Sequence, residues 1–380
     1  MKICQFSSAH PDNDTRVFHR QCKTLAARGH EVTLVLAGSR QRTEGGVRIL
    51  CVPRTRTSRW WRIAITAPAV MRLAGKQPAD VYHFHDPELL PWALWLRLKG
   101  KCVVYDAHED YVEDLRERPY MPRFGRGALI ALASFVERAS ARRMSGVIGA
   151  TDFITQKFAA DGNAALAVHN FPRADELWID GPRAPDERRV AYVGNIMRSR
   201  GIMEMLEACR LAGTTLMLAG LFETQELHAR ARAQPGWSQV LELGHLSRDA
   251  LPGMLRGCVA GLVLFHPDKN WIVSEPLKLF EYMSAGLPVI VSNFELWRRI
   301  VETERCGLCV DPRDPGAIAE ALRWICAHPG EAREMGERGR RAIRERFNWD
   351  REVTALEAFY AKLAGPNFRQ SEAANVRDDG

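Results

Sequence analysis

Short runs of β-branched and apolar residues alternate with stretches of helical period along most of the chain. In the first half, Lys2–Phe6, Glu31–Ala37, Val47–Val52, Val81–Phe84, Lys101–Tyr105 and Gly146–Gly149 read as strands. Between them Thr15–Arg28, Ser58–Leu73, Leu89–Lys99 and Leu129–Met144 carry the helical spacing, and Gly29 and Gly100 stand where a left-handed turn closes a helix. This alternation predicts a parallel sheet with helices on both faces. The pattern breaks between Val168 and Arg189, where Asn170-Phe171-Pro172, Gly181-Pro182 and Ala184-Pro185 supply turn chemistry. It then restarts, with strands over Arg189–Val193, Thr215–Ala219, Val240–Leu243, Val259–Leu264 and Pro288–Val291. The helices of this second half are Ile202–Leu211, Asp249–Arg256, Leu277–Ser284 and Pro315–His328. The expected organisation is a first α/β domain over 1–172, a linker over 173–188, and a second α/β domain over 189–346. An amphipathic helix over 347–364 and a flexible tail over 365–380 follow.

At 380 residues the chain has room for two such domains, and 46% hydrophobic with 26% charged residues excludes a disordered polymer. The 53 Lys and Arg against 46 Asp and Glu leave a net charge of +7, which favours anionic partners without naming one. No apolar run reaches the length of a membrane span, and the start does not read as a secretory leader. Nine scattered cysteines fit reduced thiols, so a cytoplasmic protein is expected. No GxGxxG follows the first strand and no GxxxxGK[ST] occurs, which removes the dinucleotide and P-loop readings. No nucleic-acid motif appears, and nucleic acid is not an expected partner.

Ligands of open parallel sheets bind beyond the carboxyl ends of the strands. Two stretches place charge there. After the strand ending at Gly194 come Asn195, Arg198 and Arg200, and a helix begins near Ile202. Guanidinium groups beside a helix start suit phosphate oxygens, although a solvated basic loop is the alternative. The second stretch runs from Ser274 to Ile290. Pro276 suits a first helical turn. Lys278 lies in that turn, where the helix dipole opposes a cation unless an anion is bound. Glu281 shares its face, and Ala285-Gly286-Leu287-Pro288 turns sharply into a strand. Other candidates read as structural. Asp12-Asn13-Asp14 sits in the first strand–helix loop, Cys306 and Cys309 form a lone CxxC without a partner pair, and His83, His85 and Asp86 have metal-like spacing at a strand end. No metal site is assigned.

The segment Pro276–Ile290, PLKLFEYMSAGLPVI, resembles the donor-binding signature of the retaining, nucleotide-sugar-dependent glycosyltransferases of family 4. The resemblance covers most of residues 1–364. VGNIMRSRG is similar to the family's phosphate loop, GHLSRDALPGML to its base-contacting turn, and RFNWDREVTALEAFY to its last helix. HPDNDTRVFHRQCKTLAARGHEV and VVYDAHEDY are similar to one bacterial branch. The implied fold class is α/β of the GT-B type: two Rossmann-like parallel-sheet domains facing a central cleft, with the last helix returning to the first domain.

The same resemblance assigns roles. Glu281 would accept hydrogen bonds from the ribose hydroxyls, and Arg200, joined by Lys278 at the helix start, would hold the diphosphate. Gly194, Leu246 and Leu277 would complete the donor site. Asn195 occupies a place that is often arginine, and Arg198 would supply the missing charge. His108 would contact the donor sugar, and His10, Asp14 and Arg16 belong to the acceptor side, with an Asp14–Arg16 salt bridge as the alternative for that pair. A second glutamate of the signature is replaced by Val273. Either backbone N–H groups near Ser274 and Pro276 or the carboxylate of Glu275 would then meet the sugar.

The expected function is a retaining, metal-independent hexosyl- or N-acetylhexosaminyltransferase. It would use a nucleotide-diphosphate sugar as co-substrate, with no resident cofactor, and a saccharide or lipid-linked acceptor in bacterial surface polysaccharide or lipopolysaccharide synthesis. A GT-B sugar-nucleotide epimerase and a non-catalytic nucleotide-sugar-binding scaffold are the alternatives. Residues 40–62 hold seven Arg and one Glu and end on Trp60-Trp61. They would either meet an anionic membrane at its inner face or form a solvated basic loop with the tryptophans packed inward.

Overall fold

The structure is a computed structural model and describes residues 1–38, 40–53, 61–109, 111–112, 126–179 and 188–365. Trp60, residues 180–187 of the expected linker and the tail beyond Gly365 lie outside the described residues. Met1–Asn170 with the chain from Glu352 onward form one compact unit, and Phe171–Arg351 form the other.

The first unit holds an eight-stranded sheet in the order β3-β4-β2-β1-β5-β6-β7-β8. Its strands are β1 Lys2–Ser7, β2 Glu31–Ala37, β3 Arg42–Glu44, β4 Val47–Val52, β5 Val81–Phe84, β6 Cys102–Ala107, β7 Gly146–Gly149 and β8 Ala165–Ala167. All neighbours are parallel except the edge pair β3–β4. β2 is buried along six of its seven residues, as strands covered on both faces require. The first helix, α1, is π-helical over Thr15–Cys22 and continues as α-helix over Lys23–Ala27. It is followed by α2 (Ala67–Ala74), α3 (Leu90–Leu98), α4 (Arg126–Ala141) and α5 (Asp152–Ala160).

The second unit holds a six-stranded, fully parallel sheet in the order β11-β10-β9-β12-β13-β14. These strands are β9 Arg189–Val193, β10 Thr215–Ala219, β11 Val240–Gly244, β12 Ala260–Val263, β13 Val289–Ser292 and β14 Gly307–Val310. Its helices are α6 (Ile202–Ala212), α7 (Gln225–Arg232), α8 (Leu251–Arg256), α9 (Leu277–Ser284), α10 (Glu295–Glu304), α11 (Pro315–Ala327) and α12 (Pro329–Glu345). Trp297 is fully buried in the core beneath α9. The last helix, α13 (Trp349–Ala364), lies mostly within the first unit, where Phe359 and Leu363 press on Gly146 so closely that a Cβ there would meet them at 2.7 Å.

Each sheet reverses its strand order beside its first strand: β1 between β2 and β5, β9 between β10 and β12. Loops that leave such a switch point at the carboxyl ends splay apart and leave a crevice. The candidate residues of both units sit on those loops and on the first turns of the helices that follow them.

Candidate functional site

In the second unit a cavity of about 500 Å³ opens at the carboxyl ends of β9, β10 and β12. Gly194, Asn195, Arg200, Leu246, Ser274, Glu275, Pro276, Leu277, Lys278 and Glu281 all line it. The chain reaches it through backbone that only glycine allows. Gly201 has φ +74°, and a Cβ there would stand 2.2 Å from the carbonyl oxygen of Leu264, so the loop after β9 passes against the end of β12 and starts α6.

Lys278 and Arg200 lie side by side in its wall. Lys278 is buried, its Nζ lies 3.8 Å from the centroid of Tyr192 and 5.3 Å from that of Phe265, and no hydrogen-bond partner meets it among the described residues. The Arg200 guanidinium lies over Phe265 and Trp271, 5.1 and 5.2 Å from the ring centroids, and one N–H reaches the carbonyl of Asn195 at 3.4 Å. Burial, and then the neighbouring Arg200 charge, hold the Lys278 ammonium well below the ordinary lysine pKa, against the attraction of Glu281. A bound anion would favour the charged form of this amine.

The carboxylate that could have neutralised the pair is engaged elsewhere. Glu281 accepts a hydrogen bond from Arg248 at 2.8 Å, and Arg248 also bonds Glu176. Burial disfavours the Arg248 charge, but Glu281 and Glu176 outweigh it and raise its pKa. Glu281 is thus engaged by Arg248, while Lys278 and Arg200 face the cavity. Ser274 is held in its turn by a hydroxyl bond to the carbonyl of Trp271, and its own carbonyl accepts from the Trp297 indole at 2.6 Å. Arg198 is absent from the cavity wall. Its guanidinium is paired with Glu204 at 2.8 Å.

In the first unit the loops after β1, β5 and β6 gather His10, His85, Asp86 and His108. The His10 and His108 rings are 4.7 Å apart, and His85 Nδ1 lies 3.1 Å from His108 Nε2. Asp86 accepts from the Ser7 hydroxyl at 2.8 Å and the Ser8 N–H at 2.6 Å, and pairs with His10 at 3.2 Å. Burial opposes the His10 charge, yet the Asp86 carboxylate raises its pKa above the usual histidine value. Behind this layer Asp106 is fully buried and accepts from Arg16 at 2.9 Å and Gln21 at 2.8 Å.

This arrangement changes three expectations. Arg16 forms no salt bridge with Asp14; it is interior, bound to Asp106 and to the carbonyl of Val168, because a buried carboxylate at the end of β6 demands a charged donor. Asp14 instead caps α1, accepting from the N–H groups of Arg16 and Val17. The acid grouped with His83 and His85 is Asp106 rather than Asp86, with ligand atoms within 4.8 Å of one another. Arg16 and Gln21 already fill that carboxylate, and the guanidinium charge opposes a cation in the same place. The group therefore reads as a hydrogen-bonded hub. Burial lowers the pKa of both histidines and keeps them neutral.

Sequence reasoning did not single out Arg248, His245, Phe265 or Trp271, all of which line the cavity. Arg248 lay within the quoted GHLSRDALPGML stretch, and a cation four residues past the end of β11 was the available signal.

The fold is GT-B, with two α/β units of the kind described above. Residues 15–174 match the family described as glycosyl transferase 4-like domain, and residues 176–342 match glycosyl transferases group 1. The second unit thus matches the group 1 glycosyl transferases and the first the glycosyl transferase 4-like domain. It is similar to glycogen synthase of Mycobacterium tuberculosis, 26% identical over 238 residues, which are 60% of this chain and 56% of that protein. The chain thus spans little more than half the length of that relative. D-rhamnosyltransferase WbpZ of Pseudomonas aeruginosa is 28% identical over 279 residues, 71% of this chain and 70% of WbpZ. Among solved structures, Anabaena HepE in complex with UDP-glucose superposes with a TM-score of 0.68 at 15% identity, covering 94% of this chain and 100% of HepE.

Proposed function

We propose that the chain is a retaining, metal-independent glycosyltransferase. It takes a hexosyl or N-acetylhexosaminyl group from a nucleoside-diphosphate sugar, in the first instance a UDP-sugar. The acceptor is a saccharide or lipid-linked saccharide of bacterial surface polysaccharide or lipopolysaccharide synthesis. The enzyme works in the cytoplasm and peripherally at the inner face of the membrane. The observation that carries the donor half is the buried Lys278, whose Nζ has no hydrogen-bond partner among the described residues, beside Arg200 in the same cavity. WbpZ, a D-rhamnosyltransferase, and HepE, seen with UDP-glucose, support the class of donor.

Transfer breaks the bond between the anomeric carbon and the β-phosphate oxygen, so negative charge collects on the departing diphosphate while the carbon gains oxocarbenium character. Arg200, Lys278 and the N–H groups at the start of α9 meet that charge, and Pro276 fixes the first turn that presents them. Glu281 takes the ribose hydroxyls, Gly194 and Asn195 give the phosphates close access to backbone, and Leu246 lies against the base. Ser274, Glu275 and Leu277 line the sugar end, where Val273 leaves no signature glutamate. His108 is assigned to the sugar and His10 to the acceptor side. Retention follows from front-face attack assisted by the leaving phosphate, and no protein nucleophile is assigned.

A thermal-shift series with UDP, GDP and their sugars identifies the donor, since ligand at a hundred times its Kd adds about 2.7 kcal/mol. Release of nucleoside diphosphate from that donor, compared with Arg200→Ala and Glu281→Gln, then tests transfer. A wild type that binds donors and never cleaves them with any acceptor extract is the scaffold for which Val273 speaks.

A further inference from the structure

Adjacent helices α3 and α4 of the first unit present an apolar outer face. Helix α3 exposes Trp92, Trp95 and Leu98, the last at 87%. Helix α4 exposes Leu129, Leu132, Phe135 and Val136, with Phe135 at 69%. An ordinary surface helix turns such residues to the core and polar ones to water. Here the outward face of α4 from Ala128 to Val136 has no charged residue. Seven large apolar side chains in one place exceed the scattered exposure of a soluble surface and mark an interaction site.

Among the described residues the charges around this face that lack an ion-pair partner are cations. Arg97 lies in the last turn of α3, Lys99 and Lys101 follow it, Arg143 follows the end of α4, and Arg126 begins it. None of the five pairs with a carboxylate among the described residues. Lys99 lies over the Trp95 ring, 3.6 Å from its centroid. The only acid on the two helices, Glu137, is buried and bound by Lys157. Tryptophan, leucine and phenylalanine with a lysine and arginine rim, and no exposed acid among the described residues of the two helices, are what a headgroup–acyl boundary with anionic lipid accommodates. A second copy of the same face would bring like charges together.

We propose that the α3–α4 face is a docking surface for an anionic lipid bilayer. This deepens the peripheral-membrane part of the proposed function by naming a surface other than the basic stretch at 40–62. In the basic stretch at 40–62, Arg42 is held by Asp12 and Glu44, and Arg62 by Glu88.

Flotation of the full chain with vesicles of phosphatidylglycerol and phosphatidylcholine, and with phosphatidylcholine alone, tests it. The expected result is binding to the anionic vesicles at least about tenfold tighter than to the neutral ones, weakened by salt. Leu132→Ser with Phe135→Ser lowers that binding by about tenfold or more. Lys99→Gln with Lys101→Gln weakens it and flattens the salt dependence. Leu211→Ser, an exposed apolar residue of α6 in the other unit, leaves it unchanged, and circular dichroism and melting verify that each variant is folded. Absence of binding to either vesicle, or binding that the Leu132/Phe135 variant retains, overturns the proposal. So does a dimer seen by light scattering that the same variant converts to monomer. No nucleotide enters the measurement, so its failure and a failure of the donor site are told apart.

Discussion

Both units place ionisable residues at the carboxyl ends of strands around a switch point, yet they treat the charge in opposite ways. In the first unit Asp106 and Asp86 are surrounded by donors from Arg16, Gln21, Ser7, Ser8 and His10. In the second, Lys278 and Arg200 stand together while the nearest carboxylate is held by Arg248. A satisfied network rigidifies the loops that carry it, and taking out one member leaves a buried charge stranded. An unsatisfied pair of cations is a standing cost that a bound anion relieves. The first arrangement is built to hold shape and the second to hold a ligand.

The sharpest way to break this comparison is to remove the hub. Asp106→Ala should destabilise the first unit by about 3–5 kcal/mol, because Arg16 then stays buried without its partner. Denaturant unfolding that shows a loss under ~1 kcal/mol would mean the network is not closed. Lys278→Met should act with the opposite sign on stability, leaving the empty protein as stable or more so. Its turnover should fall about a hundredfold, near 3 kcal/mol, as should that of Arg200→Ala. Melting curves and donor-cleavage rates on the same samples separate the two effects.

A third consequence is linked to pH. Lys278 has a pKa well below its ordinary value in the empty cavity, and a diphosphate beside it raises that value. Binding therefore takes up protons between the two values, and affinity declines as pH rises through the pKa of the complex. Calorimetry of donor binding in two buffers of different ionisation enthalpy measures the uptake, and Lys278→Met should abolish it. The smallest effect is expected for Arg198→Ala. Its exposed pair with Glu204 should be worth less than about 1 kcal/mol, and donor affinity should change less than about twofold.

Much of this was readable beforehand, and the exceptions have physical reasons. Strands β2, β4, β5, β7, β9 and β10 fall on the expected residues, because runs of apolar and β-branched side chains between turn signals admit little else. Helix α12 is absent from the sequence reading: its arginines and glutamates favour a helix, but Gly330, Gly336 and Gly339 interrupt it and its few apolar residues give a weak period. Tertiary contact explains Gly336. A Cβ at position 336 would lie 2.0 Å from the carbonyl oxygen of Gly286. The short edge strands β3 and β8 offer three residues each, too few for a period to show. At the site, Lys278 and Glu281 were legible because a cation in a first helical turn is anomalous. The partner of Glu281 was not, since Arg248 lies 33 residues away in sequence and only folding reveals which acid it meets.

The most direct test of the central claim compares nucleoside diphosphates with nucleosides. Calorimetric titration should show UDP or GDP binding at least about a hundredfold more tightly than the corresponding uridine or guanosine. In Lys278→Met with Arg200→Ala that advantage should vanish. Equal affinity for nucleoside and nucleoside diphosphate in the wild type would contradict the account.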